Sequence, residues 1–304
     1  MIPGNTTRVQ KARSGQLKFD DRQLADFRNR VVGKIVLPQD PDYDSGRGAF
    51  MRAFQHFPQI IIYCVGFSDV IASIGFAMQV GLRAVCRSGG HSTAGYSVND
   101  EMVIDVAGIG YIVVDPVTET ALVGATFAAI NPALDLYGLH VPGGGCPTVG
   151  VGGYMQGGGY GFTSLLFGMN CDNVIGIQMA LADGRVVTAS AQENEDLFWA
   201  VRGGTGNNFG VLLEIKFQLR KLGPLWGAGF KWPLTTPEDA AAASKALAVW
   251  QAHFTGADAP EGLGHQGLLV PFFRSPIRAQ TRKTNTSATG WPRISSLPLP
   301  AWRA

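Results

Sequence analysis

Between Gly138 and Gly161 eleven of 24 residues are glycine. A flexible linker dilutes its glycine with small polar residues. This stretch instead carries Val149, Val151, Tyr154, Met155 and Tyr160, with Phe162 just beyond. Main chain laid against a large flat surface explains both facts, because glycine lets the backbone approach closely while the apolar side chains pack behind it. Rigid elements before and after must hold such a stretch in place. A second glycine loop, Arg87-Ser88-Gly89-Gly90-His91, ends 55 positions before Cys146 of Gly143-Gly144-Gly145-Cys146-Pro147-Thr148. Each loop offers one side chain able to bond to carbon, an imidazole and a thiol.

The surrounding pattern is regular. Residues 21–32 read as a short helix and 34–38 as a strand stopped by Pro38. The β-branched run 59–65 is a strand, 69–80 has helical spacing with Ser68 as N-cap and Gly81 as terminator, and 82–86 is a strand that enters the Gly89-Gly90 pair. Together they make a β-α-β unit. Strands follow at 102–106, 111–114 and 121–124, with a helix over 127–137. Residues 174–182 and 185–189 flank Asp183-Gly184, which predicts a hairpin with a two-residue turn. A short helix at 196–202 and an alternating strand at 209–219 complete a mixed domain with more antiparallel than parallel pairing. After Gly223-Pro224, a strand at 227–232, a helix at 236–254 with Pro237 in its first turn, and a strand at 268–273 begin a second domain.

Composition narrows the function classes. The chain of 304 residues has a net charge of +2, but residues 274–304 hold six basic side chains and no acid, leaving 19 basic against 23 acidic residues in the body. The tail is aperiodic and is expected to be disordered, out-of-frame or truncated sequence. The basic excess therefore gives no reason to expect nucleic acid, and no aromatic and basic residues alternate as a base-stacking platform requires. Neither a signal peptide nor an apolar run long enough for a membrane span is evident, so a cytoplasmic protein without membrane partners is expected. The four cysteines form no C-x-x-C pair and the five histidines no metal spacing, so no metal is expected. Cys64 and Cys86, in apolar strands, read as small buried hydrophobes. The one G-x-G-x-x-G, Gly262 to Gly267, follows an Asp-Ala-Pro-Glu turn and precedes a strand, so it is no dinucleotide fingerprint.

Taken alone, His91 reads more readily as a hydrogen-bonded structural histidine or a metal ligand than as a flavin tether, and Cys146 reads also as the nucleophile of a Cys-His hydrolase. Against the second, Cys146 sits between Gly145 and Pro147 with no helix expected to start behind it.

Four segments occur in order: Arg87-Ser88-Gly89-Gly90-His91-Ser92; Gly145-Cys146-Pro147-Thr148-Val149-Gly150-Val151-Gly152-Gly153 with Gly157-Gly158-Gly159-Tyr160-Gly161; Asp172-Asn173-Val174-Ile175-Gly176; and residues 194–204, Asn-Glu-Asp-Leu-Phe-Trp-Ala-Val-Arg-Gly-Gly. Together they resemble the berberine bridge enzyme-like branch of the vanillyl-alcohol oxidase flavoproteins over residues 35–222. The resemblance implies an α+β fold: a PCMH-type FAD-binding domain of two subdomains over 35–223, after an N-terminal extension of 1–34. The start of an antiparallel-sheet substrate domain over 224–273 and the tail would follow, leaving the sequence truncated at its C-terminal end.

By the same resemblance FAD is bicovalent, with His91 on the flavin 8α-methyl and Cys146 on C6. Arg87, Ser88, Gly89, Gly90 and Ser92, with Gly95, match the diphosphate loop. Thr148, Val149, Gly150, Gly152, Gly153, Gly157, Gly158 and Gly161 match main chain against the ring and ribityl portion, and Asn173, Val174 and Ile175 match a strand entry lining FAD. The implied reaction is oxidation of an alcohol, sugar or alkaloid-like substrate by hydride transfer to flavin N5. Oxygen is the expected acceptor, since Val149 matches a position where a small side chain admits it. The catalytic base falls in the family's C-terminal half and has no counterpart here. Tyr154 either faces the flavin or packs. A truncated FAD-binding module without turnover is the alternative.

Overall fold

The computed structural model describes residues 17–224, 231–232, 234–255 and 258–259. The glycine fingerprint at 262–267, the strand at 268–273 and the tail lie outside the described residues, as does most of the strand expected at 227–232.

Helix α1 (Asp21–Arg28) opens on a capping box between Asp20 and Gln23. It leads to β1 (Lys34–Val36), β2 (Ile60–Tyr63), α2 (Phe67–Val80), β3 (Ala84–Arg87) and β4 (Met102–Asp105). The sheet order is β1-β2-β4-β3. Strands β2 and β3 both run parallel to β4, and β1 is antiparallel to β2. The β-α-β unit is thus present, but its two strands are not neighbours, because β4 enters between them. All four residues of β4 are buried, as a central strand covered on both faces requires.

The expected Ser68 cap gives way to Gly66, held extended. The first turn of α2 is fixed instead by buried Asp69. Its carboxylate accepts from the amides of Val32, Gly33 and Val65, tying the helix to the segment entering β1 and to the one leaving β2. Gly81 ends α2 in the left-handed conformation, as expected. Phe27 of α1 stacks on Phe76 of α2 with centroids 4.2 Å apart, and Leu17 and Phe19 join the same core. The segment read as an N-terminal extension is therefore part of this core from Leu17 onward, since its apolar face has nowhere else to be buried.

The second sheet contains β5 (Ile112–Asp115), β6 (Thr120–Val123), β8 (Val174–Ala180), β9 (Val186–Ala189) and β10 (Val211–Gln218). Its order is β5-β6-β10-β8-β9, antiparallel throughout. Helices α3 (Phe127–Asp135), α4 (Val151–Gln156) and α5 (Glu195–Val201) contribute Phe127, Ile130, Met155, Phe198 and Val201 to its core. A small ribbon pairs β7 (Leu139–His140) with β11 (Arg220–Lys221).

The β8–β9 turn differs from the expected two-residue loop. Leu181 pairs with Arg185, so the loop is Ala182-Asp183-Gly184, and only Gly184 has positive φ, at 82°. This is the type I turn closed by a left-handed glycine, which needs one special residue where the two-residue loop needs two.

Strand β10 serves both cores. Val211 and Leu213 pack into the first, Leu212, Ile215 and Phe217 into the second. A register shift between Leu212 and Glu214 changes which parity of residues faces which core, as a bulge does.

Beyond the domain, α6 (Pro237–Phe254) has a capping box between Thr236 and Asp239 and proline in its first turn, as the sequence predicts. None of its residues is buried. Among the described residues no helix is long and apolar enough to cross a membrane.

Candidate functional site

Strand β3 ends at Arg87, whose side chain is buried. Its Nε lies 2.5 Å from Asp105 Oδ2 on neighbouring β4, and its Nη1 donates to the carbonyls of Gly46 and Gly48 at 2.6 and 3.3 Å. The guanidinium is therefore committed within the protein. It pins the 46–50 loop over the loop that follows β3. The Phe50 amide then donates to the Gly90 carbonyl, and the Phe50 ring stacks on His91 with centroids 4.6 Å apart.

Past Arg87 the backbone turns with Gly90 at φ +69°. The amides of residues 88–92 donate to no acceptor among the described residues. Successive free amides on a backbone that alternates handedness make a concave nest for an anion. Ser88, Gly89 and Gly90 line a cleft of about 320 Å³ together with Phe50, Thr126 and Thr148, within the size range of small-molecule sites.

The second glycine loop is anchored to the start of α3. Pro147 and Val149 carbonyls accept from Ala128 and Phe127, and the Val151 amide donates to Ala125. It lies directly against the first loop: a Cβ on Gly89 would meet the Gly150 nitrogen at 2.5 Å and the Thr148 oxygen at 2.7 Å, and one on Gly150 would strike Ser88 Oγ. That contact brings the two predicted side chains together. Thr148 Oγ1 lies 2.8 Å from His91 Nε2 and 3.6 Å from Cys146 Sγ. Partial burial holds the His91 pKa below its usual value, so the ring is neutral at pH 7. With Nε2 engaged by Thr148, Nδ1 is the nitrogen left open.

The remaining predicted residues divide. Of the two glycines in α4, Gly153 faces open space, with nothing within 4 Å of a Cβ placed on it, whereas a Cβ on Gly152 would touch Leu212 and Ser88 Oγ at 3.8 and 3.9 Å. Gly95 makes room for the Phe54 ring, and Gly161 for the Gly143 carbonyl. Ser92 Oγ accepts from the Tyr96 amide. Gly157 closes α4, and Gly158 follows with φ +93°. The Asn173 side chain is spent on Phe167 and Met169 carbonyls and on Arg220, Val174 is in the core, and Ile175 is partly exposed. Tyr154 takes the packing alternative. Its hydroxyl donates to the Tyr160 carbonyl, its ring meets Phe127 edge-on, and burial pushes its pKa up to about 12. Cys64 is fully buried, as expected. Cys86 is half-buried in β3, and burial pushes its thiol up to about 12.

One expectation is overturned: a helix, α4, does begin behind Cys146, at Val151. Two glycines in six residues hide it from propensity. Phe50 and Asn207 went unseen. Asn207 holds the edge of β3 like a one-residue strand, its side chain accepting from the Cys86 amide and donating to the Cys86 and Tyr96 carbonyls. Only its place after Gly-Gly-Thr-Gly hinted at a role.

The donor set suits a planar cofactor with an anionic arm. A nest of amides and bare glycine backbone line one cleft, and Thr148 in its wall touches both carbon-bonding side chains, whereas no metal-binding cluster exists among the described residues.

Comparison with known proteins agrees with that donor set. Residues 58–190 match the model of an FAD binding domain family. The FAD-linked oxidoreductase pynB of Aspergillus niger is 37% identical over 192 residues, 62% of this chain and 36% of the relative. The (R)-6-hydroxynicotine oxidase of Paenarthrobacter nicotinovorans is 33% identical over 203 residues, 66% of this chain and 44% of the relative. The solved structure of Physcomitrella patens BBE-like 1 superposes with a TM-score of 0.62 at 32% identity, covering 65% of this chain and 44% of that one. This chain thus spans less than half the length of these relatives.

Proposed function

We propose that the protein carries the FAD-binding domain of the berberine bridge enzyme-like oxidoreductases, in the vanillyl-alcohol oxidase superfamily, a reading supported by the FAD binding domain match and the similar relatives, and that it is an oxidase whose FAD is bonded to both His91 and Cys146. The observation that carries this reading is the single Thr148 hydroxyl in contact with both side chains. Two residues 55 positions apart reach one spot on the cleft wall, as double attachment to one ring system demands.

In this reading the amides of residues 88–92 hold the diphosphate, and the buried Arg87–Asp105 pair keeps their loop in place without itself facing the anion. The Phe50 ring fixes the plane of the imidazole. His91 attaches through Nδ1 and Cys146 through Sγ. Each bond replaces a ring-system C–H and a protein N–H or S–H, and oxygen takes the two electrons and two protons released, becoming hydrogen peroxide. Bound FAD supplies the hydride acceptor for substrate oxidation. By the resemblance, Val149 stands at a position where a small side chain admits oxygen, which supports oxidase over dehydrogenase chemistry. Alcohols, sugars and alkaloid-like amines are the substrate classes proposed. A hydrolase of the Cys-His kind is disfavoured, because a direct thiol–imidazole contact is what such a pair uses, and here a hydroxyl stands between them.

Acid precipitation tests attachment. A yellow pellet, with peptides containing His91 and Cys146 sharing one flavin mass, is expected; a colourless pellet would refute covalent linkage. Anaerobic mixing with a panel of sugars, aryl alcohols and cyclic amines tests turnover. Bleaching of the flavin absorbance by one of them is expected. If dithionite bleaches it and no substrate does, the protein is a binding module without turnover.

A further inference from the structure

We propose that Thr148 is a proton bridge that arms His91 and Cys146 together, an inference that rests on the reading that both side chains carry the flavin. A hydroxyl has one proton and two lone pairs. Placed between Nε2 and Sγ, it can donate to one while accepting from the other. Two arrangements carry a proton across it. In the first, the Cys146 thiol donates to Thr148, Thr148 donates to Nε2, and the imidazole proton sits on Nδ1. In the second, Nε2 donates to Thr148, Thr148 donates to a Cys146 thiolate, and Nδ1 is bare.

Passing from the first to the second releases one proton from Nδ1 to water. The thiol proton moves to Thr148 Oγ1 as the hydroxyl proton moves to Nε2. No electrons are transferred and no bond to carbon changes. The lone pairs that attack, on Nδ1 and on Sγ, are thus uncovered in one event. Without the bridge the thiol would have to find its own base, and the imidazole would have to change tautomer with no partner to hold the proton on Nε2.

The surroundings leave Thr148 this part. Among the described residues the only polar partner of His91 is Thr148, and its other neighbour is the Phe50 ring. The one cation lining the cleft, Arg87, is engaged by Asp105 and by the Gly46 and Gly48 carbonyls. Asp105 faces Arg87 and the Ala107 amide. Thr148 is itself held in register, since its carbonyl abuts Gly89 and the flanking Pro147 and Val149 carbonyls are bonded to α3.

The test uses the full-length protein from riboflavin-starved cells, so that Cys146 is unblocked. Alkylation of Cys146 by iodoacetamide at pH 7 is followed by peptide mass in the wild type, Thr148→Val, Thr148→Ser, His91→Ala and the Thr148→Val/His91→Ala pair. Buried Cys64 must stay unlabelled in each, which confirms the fold. Because the thiolate is the reacting species, Thr148→Val and His91→Ala should each slow labelling by about five-fold or more. The double variant should be no slower than the slower single, and Thr148→Ser should stay within about two-fold of wild type. Wild-type labelling by Thr148→Val, or multiplied losses in the double variant, would overturn the bridge. This readout needs no flavin. Its failure is therefore distinct from failure of the attachment reading, which a flavin-replete wild type lacking flavin on both peptides would show.

Discussion

A methyl group at Gly89 would meet only main-chain atoms, the Gly150 nitrogen and the Thr148 oxygen. Nothing there can turn aside, so Gly89→Ala must push the two loops apart. It is expected to lower the melting temperature and, on the proposed double attachment, to remove the doubly linked peptide. Gly153→Ala should do the reverse for stability: with no protein atom nearby, alanine gains about 0.5–1 kcal/mol of helix preference. Loss of flavin retention without loss of melting temperature would mark Gly153 as backbone facing the ring. Acid exposes another residue. His140 is bonded to Thr163 through Nε2 and burial lowers its pKa, so the folded state binds fewer protons than the unfolded one. Its contribution is full above about pH 6.5 and declines as pH falls below that value. Melting curves of His140→Gln between pH 7 and 5 should be flatter than wild type; equal slopes would refute this. That His91 and Cys146 meet at one hydroxyl agrees with the pairing read from the sequence, where each is the one imidazole or thiol in its glycine loop. The glycines themselves were legible only in part, since Gly89 and Gly150 serve each other as much as any ligand. Phe50 lay in a segment with no periodic pattern, and only the fold brings it to His91.

Helix α2 depends on Asp69 more than on a conventional cap. Three amides converge on its buried carboxylate, and Asp69→Ala would leave them without partners. A loss of about 3 kcal/mol or more is expected in urea titrations, and a change under about 1 kcal/mol would show that water replaces the carboxylate. The sequence suggested Ser68 for this role because cap preferences concern the residue before a helix, and a partner 36 residues away leaves no local trace. The same limit explains β4. Strand existence follows from β-branched runs, which placed β2, β3, β4 and β10 within a few residues. Strand order does not, and an intervening strand between β2 and β3 carries no sequence mark. Helix α4 failed for the opposite reason: its local sequence argues against it, and packing of Val151 and Met155 into the core prevails.

The molecule's described parts differ in how firmly they are held. None of the residues of α6 is buried, and most of a helix's stability in a protein comes from packing a buried face. Its amides should exchange with deuterium within seconds to minutes, against hours or longer for β4 and β10; comparable protection in all three would show that α6 docks. Leu247 and Val249 are more than half exposed on that helix. Strand β10 has the opposite standing. With Val211 and Leu213 in one core and Leu212, Ile215 and Phe217 in the other, it is a party wall common to two rooms. Neither room can be emptied while the wall stands, nor kept once it is gone. Heating should therefore give one calorimetric peak for residues 17–222. A gene split after β9 should yield two fragments, of which the first stays unfolded until the second arrives with the missing wall.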